Sequence, residues 1–254
     1  LTAINPLPTR SGKLSPRCCL CNANAANVCG TSLTQYAISA VPAANGAACP
    51  LRFRPGRRCT PIFRRWQLLR LWQALTDAVN QADRLAAGRP ATPSLVCLDS
   101  QSVRLAPRIF EHRGLDGGKH VNGRKRQIMT DVQGRILACR VHAANGHDGV
   151  EALALLPARP TWGQRLVTVV TDKGYRGRFA RHVTRLGLTH QIGSRPPSTR
   201  GFVPVAQRWV VERTFAWLTS FRRLAIDYEF TPRSHETWLL LANLTMCLNR
   251  LAPA

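Results

Sequence analysis

Two short apolar runs, each followed by an aspartate, constrain the fold of this chain more than any other feature. Leu95-Val96-Cys97-Leu98 leads into Asp99, and Leu166-Val167-Thr168-Val169-Val170-Thr171 leads into Asp172. Brief runs rich in Val, Leu and Thr, bounded by turn residues, read as buried strands, so each aspartate is expected at a strand end. Between them, Gln127 to Asp131 and Arg135 to His142 read as two strands joined through Val132-Gln133-Gly134, an antiparallel hairpin. Asp148 is placed to start a helix through Leu153 and Leu156. Phe179 to Leu186 reads as a further helix, and two more are expected near Val205–Leu224 and His235–Leu251. This order of strand, hairpin, helix, strand and helices predicts an α/β fold with a mixed sheet flanked by helices.

The aspartates matter because acids are scarce. The 254 residues include 36 Lys plus Arg and only 13 Asp plus Glu, a formal net charge of +23. Such a surface favours a polyanion, and nucleic acid is the expected partner, bound in a salt-sensitive way. The longest apolar runs fall short of the roughly 18 residues that span a bilayer, and no leader pattern opens the chain, so a cytoplasmic, nucleoid-associated protein is expected.

Residues 1–60 have a different character. They contain no acid, lack sustained periodicity and are rich in Ala, Asn, Pro, Cys and Arg. Two readings stand: a basic, disordered nucleic-acid arm, or a truncated or frame-disturbed start, the chain beginning at Leu1. Six of the nine cysteines lie here, but Cys18 and Cys21 form a lone C-x-x-C, too few ligands for a tetrahedral zinc site. Cys97, Cys139 and Cys247 read as buried small hydrophobes. From Pro61, helical spacing of Phe63, Trp66, Leu69 and Trp72 marks a helical segment to about residue 90, before the domain expected over 91–254.

A third acid, Glu212, lies in an apparent helix, Arg208-Trp209-Val210-Val211-Glu212-Arg213. Arg208 stands one turn before it, on the same helix face. Two aspartates and a helical glutamate could hold the divalent ions of a two-metal phosphoryl-transfer site. The basic run Lys119 to Arg126 is a candidate phosphate contact. Strand alternation there places Arg124 and Arg126 on one face and Lys125 on the other. His147 beside Asp148 reads as a helix start in preference to a metal or substrate group.

Five segments carry a family resemblance, in order: Leu98-Asp-Ser-Gln-Ser-Val103; Gly123-Arg-Lys-Arg126; Val141-His-Ala-Ala-Asn145 with His147-Asp148; Thr171-Asp-Lys-Gly-Tyr175; and Arg208-Trp-Val-Val-Glu-Arg-Thr-Phe-Ala-Trp-Leu218. From about Phe63 to Leu251 the chain resembles bacterial insertion-sequence transposases of the DDE class, most closely the insertion-sequence-five group. The resemblance implies a ribonuclease-H-like catalytic domain, two Mg2+ ions (with Mn2+ as a substitute), terminal inverted repeats and target DNA as duplex substrates, and a homo-oligomeric synaptic complex. It implies that Asp99, Asp172 and Glu212 are the catalytic, metal-binding triad, and that Lys119, Arg124, Lys125, Arg126 and Arg208 contact DNA. The same resemblance implies that the helical segment over 61–90 is a remnant of a DNA-binding region. Thr219 and Ser220 stand where similar proteins carry a basic residue about two turns past the glutamate. The implied activity is metal-dependent strand cleavage and strand transfer. The alternatives are a nuclease of the same fold and a catalytically inactive DNA-binding remnant.

Overall fold

The computed structural model describes residues 56–158, 160–193 and 209–252, with side chains from residue 61 onward. The expectations for residues 1–55, for the six N-terminal cysteines except Cys59 and for Arg208 lie outside the described residues. Two helices come first, α1 (Gly56–Leu68) and α2 (Leu71–Ala86), then strands β1 (Leu95–Arg104), β2 (Gly114–Asp116), β3 (Val121–Thr130) and β4 (Ile136–Ala143). A one-turn helix α3 (Asp148–Glu151) precedes β5 (Thr168–Thr171), α4 (Arg178–Arg185) and β6 (Thr189–Ile192). Helices α5 (Trp209–Thr219), α6 (Arg222–Ala225) and α7 (Pro232–Leu251) complete the order.

The strands form one mixed sheet in the order β2-β3-β1-β5-β6, with β4 also on β3. β1 pairs antiparallel with β3 and parallel with β5, and β5 is parallel to β6. The expected β3–β4 hairpin is present. Gly134 sits in its turn at φ 86°, the left-handed region that favours glycine, and a Cβ there would meet the Thr214 hydroxyl oxygen at 2.6 Å.

Alternation along the strands sends side chains to two cores. Cys97, Ile128, Val141 and Val170 face Val211, Phe215 and Leu218 of α5 and the apolar stripe of α7. Val96, Leu98, Met129 and Val169 face Ala152, Leu155, Tyr175, Phe179 and Val183 on the α3–α4 side. This is the helix-flanked mixed sheet that the element order predicts, consistent with the ribonuclease-H-like fold that the resemblance implies. Cys97 and Cys247 are buried, as expected, while Cys139 is half-buried.

Several elements differ from the reading of the sequence. β1 does not stop at Asp99 but runs to Arg104, because β3 pairs with it all the way to Arg104↔Gly123. β2 and β6 are additional strands, too short to show a period. The helices over 56–86 are not set apart from the domain expected at 91–254. Asn80 of α2 donates to the Ile136 carbonyl at 2.8 Å and accepts from Asn243 of α7 at 2.9 Å, both in the interior. At the end of α2, Arg84 pairs with Asp131, and Asp83 binds Arg135 at 2.8 Å and Arg250 at 2.7 Å, closing a buried network over the hairpin turn.

Candidate active site

The sheet register brings the two aspartates to one level. β1 and β5 run parallel with Leu95↔Thr168, Val96↔Val169 and Cys97↔Val170, so the same register carried two residues further sets Asp99 beside Asp172. β5 ends at Thr171 while β1 continues, which opens the sheet at that point. Asp99 therefore lies mid-strand with respect to β3 but at the rim with respect to β5. By alternation from Cys97, Asp99 shares the face on which α5 is packed.

Each acid is positioned by its own element. Asp99, half-buried, accepts from the Ser100 N–H at 2.7 Å. Asp172 caps the tight turn Lys173–Tyr175, its Oδ1 accepting from the Gly174 N–H at 2.8 Å. Tyr175 anchors that turn in the core, edge-on to Phe179 with ring centroids 5.7 Å apart. Burial, with the nearby charges of Asp99, Asp148 and Asp172, pushes the Tyr175 phenol well above its ordinary range, so it stays neutral. Glu212 lies on the exposed side of α5, whose buried residues Val211, Phe215 and Leu218 hold the helix on the sheet. The next residue, Arg213, is stacked between Trp209 and Trp217, 4.3 and 4.5 Å from their ring centroids. That stacking orders the outer surface of α5 beside the acid.

The donor set is all oxygen, which suits a hard divalent cation. Among the described residues, however, no three His, Cys, Asp or Glu side chains stand close enough to enclose one ion. The register brings two carboxylates, Asp99 and Asp172, to the rim, and no closed cage forms among the described residues.

The five residues expected to contact DNA separate by environment. Lys119 is exposed on the β2–β3 loop, which Asp116 fixes by accepting from the Gly118 and Lys119 N–H groups. Arg124 is buried: it pairs with Asp227 at 2.9 Å and donates to the carbonyls of Glu111, Glu229 and Phe230. Arg126 is buried as well, donating to the Gln101 side chain and to the Leu224 carbonyl at 2.7 Å. Burial pushes its guanidinium down to about 10, still protonated at neutral pH. In this fold neither guanidinium reaches the surface, so the expectation of DNA contact at Arg124 and Arg126 gives way to an internal bracing role. Lys125, on the opposite face as alternation predicts, lies 3.2 Å from Asp148 and 3.8 Å from Asp116. His147 is the N-cap of α3, its Nδ1 accepting from the Gly149 N–H, in line with the helix-start reading of the His147–Asp148 pair. Sequence reasoning missed the partners of this basic run: Asp227 lies 103 positions from Arg124 and carries no local signal.

No described helix is long and apolar enough to cross a membrane. The transposase DDE domain model matches residues 90–249. A Burkholderia cepacia protein named as a transposase for insertion sequence element IS402 is 34% identical over 139 residues, covering 52% of this chain and 66% of that protein. The chain thus spans just under two thirds of its relative's length. With the family match extending over the sheet, both aspartates and Glu212, this chain belongs to the transposase DDE domain family.

Proposed function

We propose that this chain is a DDE transposase of the insertion-sequence-five group, which cuts duplex DNA at the ends of an insertion sequence and joins the freed ends to target DNA. Dependence on a divalent metal is general in its family. The observation that supports the reading is the parallel β1–β5 register, which, carried two residues past Cys97↔Val170, sets Asp99 level with Asp172, while α5, which bears Glu212, packs on the Cys97 face of the sheet. Magnesium keeps several waters and takes only one or two carboxylates from a protein alongside substrate phosphates. Three carboxylates that close no cage would suit two such ions, each needing few protein ligands. Asp99 and Asp172 would serve as ligands fixed by the sheet, and Glu212 as a ligand from the helix. When bound, the ions polarise the scissile phosphate and lower the pKa of an attacking water.

The protein's own part is positional. Asp172 is held by its cap on Gly174, and Asp99 by the rigid β1–β3 ladder, so neither carboxylate needs to be ordered when substrate arrives. The same rim would serve hydrolysis at the element end and attack by the resulting 3′-hydroxyl on target DNA. Lys119, Lys125 and Arg208 are the remaining candidates for strand contact, and the synaptic complex would bring two copies of the chain to the paired ends.

The test is strand transfer on a paired-end duplex with Mg2+, comparing the natural chain with Asp172→Asn. Asparagine keeps an oxygen to accept from Gly174 while removing the charge. A loss of at least about 100-fold is expected, the scale of losing one preorganised electrostatic contact. Undiminished joining by the variant would sink the assignment. Cut but unjoined ends from the natural chain would point to a nuclease, and salt-sensitive binding with no cleavage to a DNA-binding remnant.

A further inference from the structure

Between Asp172 and Glu212 the chain carries eight Lys or Arg residues and no acid. Three of these bases lie on α4, the helix that follows the Asp172 turn. Phe179 and Val183 of α4 are buried against the α3 side of the sheet, which turns Arg178, Arg181 and Arg185 to the outside. The three line an open cleft of about 310 Å³ with Leu153 and His182. His182 is held by its Nε2, 2.8 Å from the Leu156 carbonyl oxygen, so the helix is fixed on the body. No carboxylate pairs with any of the three arginines among the described residues, unlike Arg140, Arg223 and Arg250, each of which has an acidic partner.

The spacing gives these bases a direction. Arg178 and Arg185 are seven positions apart, about 10 Å along a helix at 1.5 Å per residue. A DNA strand presents a phosphate about every 3.4 Å of duplex axis, so the stripe covers about three. Its first member is only six residues past Asp172, and the others lead away from the carboxylate rim. Arginine suits this task because its planar, permanently charged fork matches phosphate oxygens.

We propose that the arginine face of α4 is a docking surface for the phosphate backbone of duplex DNA, guiding the strand that passes the acidic rim. The occupant follows from the function proposed above, and the inference rests on that reading. The surface is sequence-indifferent, because its groups meet phosphate and not base edges.

The experiment measures equilibrium binding of the full chain to a fixed duplex from 50 to 200 mM salt, without divalent metal. The triple variant Arg178→Gln, Arg181→Gln, Arg185→Gln should bind with a log–log salt slope shallower by about 2 to 3, at about 0.9 per lost phosphate contact. A second triple variant, Arg89→Gln, Arg104→Gln, Arg108→Gln, removes the same charge from other exposed positions. It should keep the natural slope. Thermal unfolding of both variants should match the natural chain, since all six side chains are exposed. An unchanged slope in the α4 variant, or an equal change in both, would overturn the docking surface while leaving the transposase reading intact. Failure of the natural chain to bind duplex at all would overturn both.

Discussion

The arginines of β3 and those of α4 are chemically identical and oppositely employed. Arg124 and Arg126 lie inside the molecule, gathering carbonyls, a carboxylate and an amide from other parts of the chain. Arg178, Arg181 and Arg185 stand outside, with no acid partner among the described residues. A net charge of +23 therefore overstates the positive field available to a partner in one place and concentrates it in another. The comparison teaches that a dense basic run is not by itself a nucleic-acid site. What decides is whether the fold brings an acid or a set of carbonyls to each base.

The largest expected effect tests the interior half of that contrast. Arg124 and Asp227 are 1% and 0% exposed, so Arg124→Ala leaves a buried carboxylate short of its cation. Unfolding by urea should show a loss of about 3–5 kcal/mol. Arg124→Lys should recover only part of it, because an ammonium cannot reach Asp227 and the Glu111, Glu229 and Phe230 carbonyls together. A stability unchanged by Arg124→Ala, with a weakened salt slope of DNA binding, would reverse the assignment and return Arg124 to the surface.

How much of this was legible beforehand follows from the range of the interactions. The hairpin, β5 and α7 are local patterns of apolar periodicity and turn residues, and they can be read directly. The strand beyond Asp99 could not be, because Ser100-Gln101-Ser102 is polar on both faces. Its polarity is matched by the far-off Asp116 and Arg126. The register of Asp99 against Asp172 follows once both runs are strands of one parallel pair, whereas Asp227 and Glu229 as partners of Arg124 and Arg223 do not follow from any local pattern. The integration of α2 into the body was hidden for the same reason: Asn80, Asp83 and Arg84 look like an ordinary polar helix face until β4 and α7 cover them.

A smaller effect should appear on the acid side. Burial pushes the Asp227 carboxyl up, but the close contact and charge of His235, the Glu229 N–H and Arg124 more than offset it and hold the group below the usual carboxylate range. A depressed folded-state value makes a contribution that is fully present above the unfolded value of about 3.9 and is lost as pH falls through the folded value. Urea midpoints should thus hold steady from pH 7 to about 4 and then decline. Asp227→Asn should start less stable at pH 7 and shed part of that acid-side decline. A steeper decline in the variant would show that Asp227 is not the group responsible.

The smallest effect tests the exterior half. Arg181→Gln removes an exposed base with no acid partner, so its unfolding free energy should stay within about 0.5 kcal/mol of the natural chain. Duplex binding should nevertheless lose about one phosphate's share of the salt slope, close to 0.9. The pairing of these two numbers is what distinguishes the helix from the strand. A buried brace moves stability, and a phosphate contact moves salt dependence alone. Should Arg181→Gln cost several kcal/mol instead, α4 would be held by its arginines as β3 is. The two sets would then differ only in exposure, and the outward face of α4 would have no claim to the DNA.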